Sequence, residues 1–340
     1  MTAKRVRKNP VKATRISDVA RLAGVSSATV SRVINGVDTV REDIAERVRT
    51  VIREIGYVPS QTARSLSLGA NRTVGVVVPD LSNPMFHQVL GGVHRAAAAD
   101  GYRVLTADTL EEPAGEAAAA LDIRNRTDAL VLIAPRMTRA ELLALLLRVQ
   151  PAAVINRTTG GNSVVARVDY GDGIQALARH LTGLGHRRLA FLSGPESSRS
   201  NHERLRGIAD YRERHPEIDV VEIECGSSFA DGYRSWEAVR QSGATAVMAF
   251  NDVVALGLIG RLDEVGVRVP DDLSVAGFDD ITFSRYSAPA LTTMSVELAE
   301  VGASAWRGLR SEIDGRTSRE AAVFTPVLAV RGSTASPPPR

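Results

Sequence analysis

The sequence predicts a small all-helical unit followed by a larger α/β body made of doubly wound parallel sheets. Three observations carry that expectation. Up to residue 57 the apolar residues recur at helical spacing, punctuated by Gly24, Asn35-Gly36 and Gly56. After Asn71 short apolar runs suited to buried strands alternate with helical segments. Charge divides at the same place. Residues 1–72 hold 14 Lys and Arg against 6 Asp and Glu, net +8, whereas the rest hold 28 against 33, net −5.

The first helix starts at Ile16, where Val19, Ala20 and Ala23 share one face. Gly24 permits a tight turn, Val25 anchors it, and Ser26 is suited to cap the next helix. That second helix should bury Val30 and Val33 and stop at Asn35-Gly36. Thr39-Val-Arg-Glu42 reads as a capping box opening a third helix, with Ile44, Val48, Val51, Ile52 and Ile55 on one stripe. Residues 57–66 carry Pro59, suited to a first helical turn, but so short a helix needs a docking partner to persist.

Strands are expected at Val74–Val78, Arg103–Thr106, Ala129–Ala134, Ala153–Ile155, Val165–Val168, Leu189–Ser193, Val220–Glu224, Ala246–Phe250 and Ser274–Gly277. Helices such as Met85–Ala99 and Gly171–Leu184 lie between them. Two halves follow, about 73–160 and 165–290, with Thr292–Val296 and Val327–Val330 returning to the first. The ending SPPPR reads as disordered.

The composition excludes several classes. With 44% hydrophobic and 24% charged residues the chain can bury real cores. Its single cysteine, Cys225, excludes an intramolecular disulfide and a cysteine metal cluster, and reads as a small buried hydrophobe at a strand end. Aromatics make up only 4%, so any near a pocket carry extra weight. The basic start MTAKRVRKNPVKATR leads into no apolar run, and no stretch approaches the roughly 18–20 apolar residues of a membrane span. A cytoplasmic protein without membrane association is expected.

No GxxxxGK[ST] loop, GxSxG elbow or HExxH occurs, nor a GxGxxG after the first strand of either half. His202 in NHERLRG lacks a second metal ligand at useful spacing, and His186 in LGHRR suits a strand-entry cap. No catalytic residue, metal or cofactor is expected. The stretch ISDVARLAGVSSATVSRVING instead fits a helix-turn-helix whose second helix enters a DNA major groove. Ser27, Ala28 and Thr29 are short enough to let that helix sit deep, and Arg32 can grip a guanine bidentately.

At this point the chain resembles the lactose-repressor (LacI/GalR) family of bacterial transcription regulators. The resemblance runs over residues 16–334. It rests on the stretch just quoted, REDIAERVRTVIREIGYVPSQTARSLS, VGVVVPDLSNPMF, GHRRLAFLSGP, the AFNDVVALG block, and VPDDLSVAGFDD followed by APALTTM. It implies a basic arm (1–15), a headpiece (16–57), a hinge helix and linker (58–72) and a tail (335–340). Between them lies a two-lobed effector domain similar to periplasmic sugar-binding proteins, with 73–162 and 291–334 as its first lobe and 163–290 as its second.

By that resemblance Ser27, Ala28 and Arg32 choose the operator sequence, and Ser26, Thr29 and Asn35 lie near backbone or bases. Leu66 inserts into the minor groove as an apolar wedge. Phe86, Arg204, Asn251 and Asp279 line the cleft between lobes, and Asp169 and Arg199 occupy positions that sometimes touch ligand. The implied partners are a near-palindromic double-stranded operator, a second copy of the chain, and a small polar effector, expected to be a sugar or polyol. Three departures are visible: Ser227 stands near an expected aromatic, with Phe229 close by; Ala134 replaces an amide; and Asn156 replaces an Asp. The rival readings are a cytoplasmic solute-binding protein without a DNA role and a carbohydrate-active enzyme.

Overall fold

The computed structural model describes residues 14–36, 39–57, 71–160, 163–316 and 322–338. The chain divides into two compact units, Met1–Arg72 and Thr73–Arg340.

In the first unit, α1 (Ile16–Ala23) ends because Gly24 adopts a left-handed φ of 65°, and the Val25 N–H turns back to the Ala20 carbonyl at 3.0 Å. Ser26 then caps α2 (Ser27–Ile34), its Oγ accepting the Thr29 N–H at 3.1 Å. The third helix departs from expectation. α3 is Glu42–Ile55, with Arg41 at the N-cap and no side-chain cap, so Thr39 forms no capping box. Arg41 instead pairs bidentately with Asp43 (3.0 and 2.7 Å), and Glu42 and Asp43 place two carboxylates in the positive first turn. Val19, Ala20, Ala23, Val30, Val48, Val51 and Tyr57 form the shared core.

The second unit contains two six-stranded sheets. The first comprises β1 (Thr73–Val78), β2 (Arg103–Asp108), β3 (Ala129–Ile133), β4 (Ala152–Ile155), β5 (Val164–Val168) and β11 (Ala322–Phe324), in the order β11-β5-β4-β3-β1-β2. The second comprises β6 (Arg188–Ser193), β7 (Asp219–Glu224), β8 (Ala246–Ala249), β9 (Ser274–Asp279), β10 (Thr292–Ser295) and β12 (Val327–Ala329), in the order β12-β10-β9-β8-β6-β7. All neighbours run parallel except β10 with β12. Such sheets need helices on both faces, which is why their strands read as near-continuous apolar runs.

The connecting helices of the first lobe are α4 (Pro84–Ala99), α5 (Pro113–Arg124) and α6 (Arg139–Val149). Those of the second are α7 (Tyr170–Gly183), α8 (Arg199–Arg214), α9 (Phe229–Arg234), α10 (Trp236–Ser242), α11 (Asp252–Glu264) and α12 (Thr282–Tyr286). The last helix, α13 (Leu298–Ile313), packs on α4 in the first lobe. Their backbones touch. A Cβ added at Gly92 would lie 1.9 Å from the Ala299 carbonyl oxygen, and one at Gly302 would lie 2.0 Å from that of Val89.

Three boundaries need correction. Val164–Val168 belongs to the first sheet, in register with β4 (Ala153 opposite Val164), so the first lobe extends past residue 162. Thr292–Ser295 and Val327–Ala329 belong to the second sheet, not the first; among the described residues past 290, α13 and β11 return. A buried parallel strand has the same composition in either sheet, so apolar runs alone do not assign it. The ending also differs from a disordered tail from 335. The Ala335 N–H donates to Ser274 Oγ at 3.0 Å, and its carbonyl lies 2.9 Å from Nε2 of the buried His186. Backbone groups satisfied by side chains hold that segment in place. Cys225 follows β7, partly buried, its thiol pushed up to about 12 by burial.

Candidate nucleic-acid interface and effector cleft

In the helical unit α2 turns Val30 into the core, which leaves Ser26, Ser27, Ala28 and Arg32 exposed and Thr29 and Asn35 half-buried. The small side chains make that face low, and Arg32 stands out from it. Two of the expected contact residues also hold the helix together. Ser26 Oγ and Thr29 Oγ1 share a hydrogen bond of 2.9 Å, and Asn35 Nδ2 donates to Ser31 Oγ at 3.4 Å. Leu66, the expected wedge, lies outside the described residues.

In the α/β unit a narrow cleft lies between the two sheets. The first lobe supplies Phe86 from the first turn of α4, Ala134 after β3, and Glu111 and Arg136 from loops. The second supplies Ser200 and Arg204 of α8, Ser227, Phe250, Asn251 and Asp279, with Tyr170 at the head of α7.

Arg204 is fully buried and lies against three aromatic rings, 4.2 Å from Tyr170, 4.2 Å from Phe278 and 4.6 Å from Phe250. The ring faces favour a cation there. Its Nη1 donates to the Ser200 carbonyl at 3.1 Å, and its Nε has no partner among the described residues. Burial lowers its proton affinity, opposed by the charges of Tyr170, Asp279 and Glu203.

Asp279 ends β9 with a φ of 111°, a left-handed conformation that a non-glycine residue holds only when its surroundings impose it. Beside it Asp252 accepts from the Ile281 N–H (2.9 Å), Ser284 Oγ (2.6 Å) and Thr293 Oγ1 (2.5 Å), pinning the turn just past Asp279. Burial raises Asp252 to about 7. It also raises Asp279 well above the carboxylate range, Arg204 opposing the rise. The carboxyl of the buried Asp279 accepts no hydrogen bond from a described residue.

Of the expected effector residues, the fold brings Phe86, Arg204, Asn251 and Asp279 together in the cleft. Asn251 is already engaged: its Oδ1 caps α11 at Val254 N (2.8 Å), and its Nδ2 donates to the Ser227 carbonyl (3.1 Å). Asp169 and Arg199 are not brought there. Asp169 caps α7 through Asp172 N (3.0 Å) and faces a separate polar recess with Arg167, Glu203 and Asp210. Arg199 lies 3.4 Å from Glu203 at the start of α8. Phe229 is largely exposed and does not replace the aromatic missing at Ser227. Asn156 stands behind the wall, its Nδ2 donating to the Tyr170 hydroxyl at 2.8 Å.

Sequence reasoning missed Glu111, Arg136, Tyr170 and Phe250. For the two aromatics a signal existed, because aromatics are scarce and these sit just after strand ends. For Glu111 and Arg136, loop charges 25 residues apart, there was none.

A helical unit with an exposed, low-relief helix-turn-helix face, joined in sequence to a two-lobed body with a polar cleft, defines a ligand-responsive DNA-binding regulator. Comparison with known proteins agrees. The model of bacterial regulatory proteins of the lacI family matches residues 15–60, and that of a periplasmic binding protein-like domain matches residues 178–334. The chain is 32% identical over 330 residues to the HTH-type transcriptional repressor PurR of Vibrio vulnificus (strain CMCP6), covering 93% of this chain and 97% of that one. It is 33% identical over 333 residues to the HTH-type transcriptional regulator GalR of Escherichia coli (strain K12), covering 95% and 96%. The lac repressor dimer bound to operator and the anti-inducer ONPF superposes with a TM-score of 0.86 at 27% identity, covering 95% of this chain and 100% of that one. The transcriptional regulator CelR in complex with cellobiose superposes with a TM-score of 0.69 at 26% identity, covering 94% and 99%.

The chain belongs to the lacI family of bacterial regulatory proteins. It is a DNA-binding transcriptional regulator with a ligand-binding body, and not an enzyme.

Proposed function

We propose that this regulator is a cytoplasmic repressor that binds a near-palindromic operator as a homodimer and is controlled by a small polar effector, a sugar or polyol, held between the lobes. Two copies of α2 occupy successive major grooves, with Ser26, Ser27, Ala28, Thr29, Arg32 and Asn35 toward the duplex and Leu66 as a minor-groove wedge. The lac repressor relative is a dimer on its operator, and here α12 exposes Phe283 and Tyr286, a face suited to a second copy. Phe86, Arg204, Asn251 and Asp279 form the ligand shell. Asp169 and Arg199, outside the cleft, are not included.

The observation that carries effector control is the opposition of Arg204 and Asp279. A buried guanidinium nitrogen without a partner and a buried carboxyl without a hydrogen bond both gain when a hydroxylated ligand bridges them. Both groups belong to the second lobe, so the ligand favours one arrangement of the lobes through what it also touches on the first, Phe86 and Arg136, a coupling typically of about 1–3 kcal/mol. The test is a gel-shift titration against genomic fragments, with and without a panel of sugars and polyols. A preferred palindromic fragment released or retained by one compound is the expected result. Absence of any preferred fragment, or a preference that no compound moves, would refute the reading.

A further inference from the structure

We propose that the cleft contains an oxyanion subsite, formed by Arg136, the N-terminus of α8 with Ser200, and Arg204, which takes a phosphoryl or carboxylate group of the effector. This deepens the effector reading above and rests on it. The shared chemistry of the ligand is an oxyanion on a small polar molecule.

Arg136 is buried; its Nη1 donates to the Ala134 carbonyl at 3.2 Å and reaches across to the Oγ of the fully buried Ser198 of the second lobe at 3.4 Å. Ser198 Oγ in turn shares a 3.0 Å hydrogen bond with Ser200 Oγ. These two serines open α8, a helix of 16 residues whose N-terminus no side chain caps. The orphan N–H groups and the positive end of the helix dipole favour an anion there. A second, independent feature points the same way. Arg204, one turn further along the same helix, lines the cleft fully buried with its Nε unpartnered.

An anion already sits on this fork. Glu111 binds Arg136 bidentately, Nε to Oε2 at 2.5 Å and Nη2 to Oε1 at 2.8 Å. That is the geometry in which a guanidinium receives a carboxylate or a phosphate. Glu111 lines the cleft yet keeps 22% of its side chain exposed, so it can swing to water when a ligand oxyanion replaces it. It acts as a stand-in that keeps the buried guanidinium paired while the cleft is empty.

The test uses the full chain and two probes, sodium phosphate and sodium acetate, against sodium chloride at matched ionic strength, read by thermal unfolding of the α/β body. The expected result is saturable stabilisation by one of them, phosphate assigning a phosphoryl group and acetate a carboxylate. Glu111→Gln removes the competitor and should lower the half-saturating concentration about tenfold, a gain that misfolding cannot imitate. Arg136→Met should abolish the response. No stabilisation beyond chloride, or an equal response in wild type and both variants, overturns the oxyanion subsite. A neutral sugar that stabilises wild type and Arg136→Met alike, but not Arg204→Leu, would overturn it while leaving the effector cleft standing.

Discussion

The guanidinium of Arg204 lies 4.2 Å from the ring centre of Tyr170, both residues buried in the cleft wall. The ring holds the cation by its face and so leaves the guanidinium edge without full hydrogen bonding. A salt bridge would have used that edge. The arrangement keeps the charge in place and its donors available.

Arg204→Leu therefore separates binding from folding. Removing the cation relieves its desolvation but strips its contacts with three rings and the charge that opposes the rise of the buried Asp279, so the unfolding midpoint should fall while the protein still folds. Affinity for any compound that shifts the wild-type protein should fall at least tenfold, about the worth of one charge-assisted hydrogen bond. Calorimetric titration checks this, and retained affinity would remove Arg204 from the ligand shell.

Asp252 makes stability depend on pH. Its folded pKa, about 7, lies above its ordinary value of 3.8, so the folded state binds the extra proton between those limits. Stability from this group is full below the lower limit and is lost as pH rises toward 7. Asp252→Asn cannot titrate. The midpoint of wild type relative to this variant should fall between pH 4 and 7 and level off above it. A flat difference across that range contradicts the assignment.

Arg32 stands outward from α2 with its neighbours Val30 and Val33 turned inward. Arg32→Ala should relax base preference at one position of each half-site at a cost of about 1–3 kcal/mol. Selection from a library randomised at the operator measures this directly. Unchanged selectivity would restrict Arg32 to phosphate contact.

Gly92→Ala should loosen the first lobe. Its new methyl carbon meets the backbone of α13 at 1.9 Å, where no rotamer change gives relief. The helices must separate, an overpacking cost of at least about 1–3 kcal/mol. Thermal unfolding should show a lower midpoint, whereas Gly183→Ala, with no atom nearby, should not share the loss.

Much of this molecule was legible before any coordinates. Helix ends at Gly24 and Gly56, the Ser26 cap and the alternation of strand and helix are local events, set by residues within a few positions of one another. The capping box at Thr39 failed for a related reason: two competing local starts existed, and the acidic pair Glu42-Asp43 with Arg41 prevailed. In the cleft, Phe86, Arg204, Asn251 and Asp279 were legible only through the resemblance to the LacI/GalR family, which matches those positions.

What the sequence by itself determined was the order of elements, the outward and inward faces of the helical unit, and the residue types available to a polar cleft. Tertiary structure alone decided which sheet each late strand joins, since β5 and β10 exchange sides although their compositions match their neighbours. It also decided that Glu111 meets Arg136, that Asp169 faces away from the cleft, and that Ala335 is tied to His186. The physical reason is range. Periodicity, capping and charge act over a few residues, whereas sheet membership and cleft chemistry depend on packing between segments far apart in the chain.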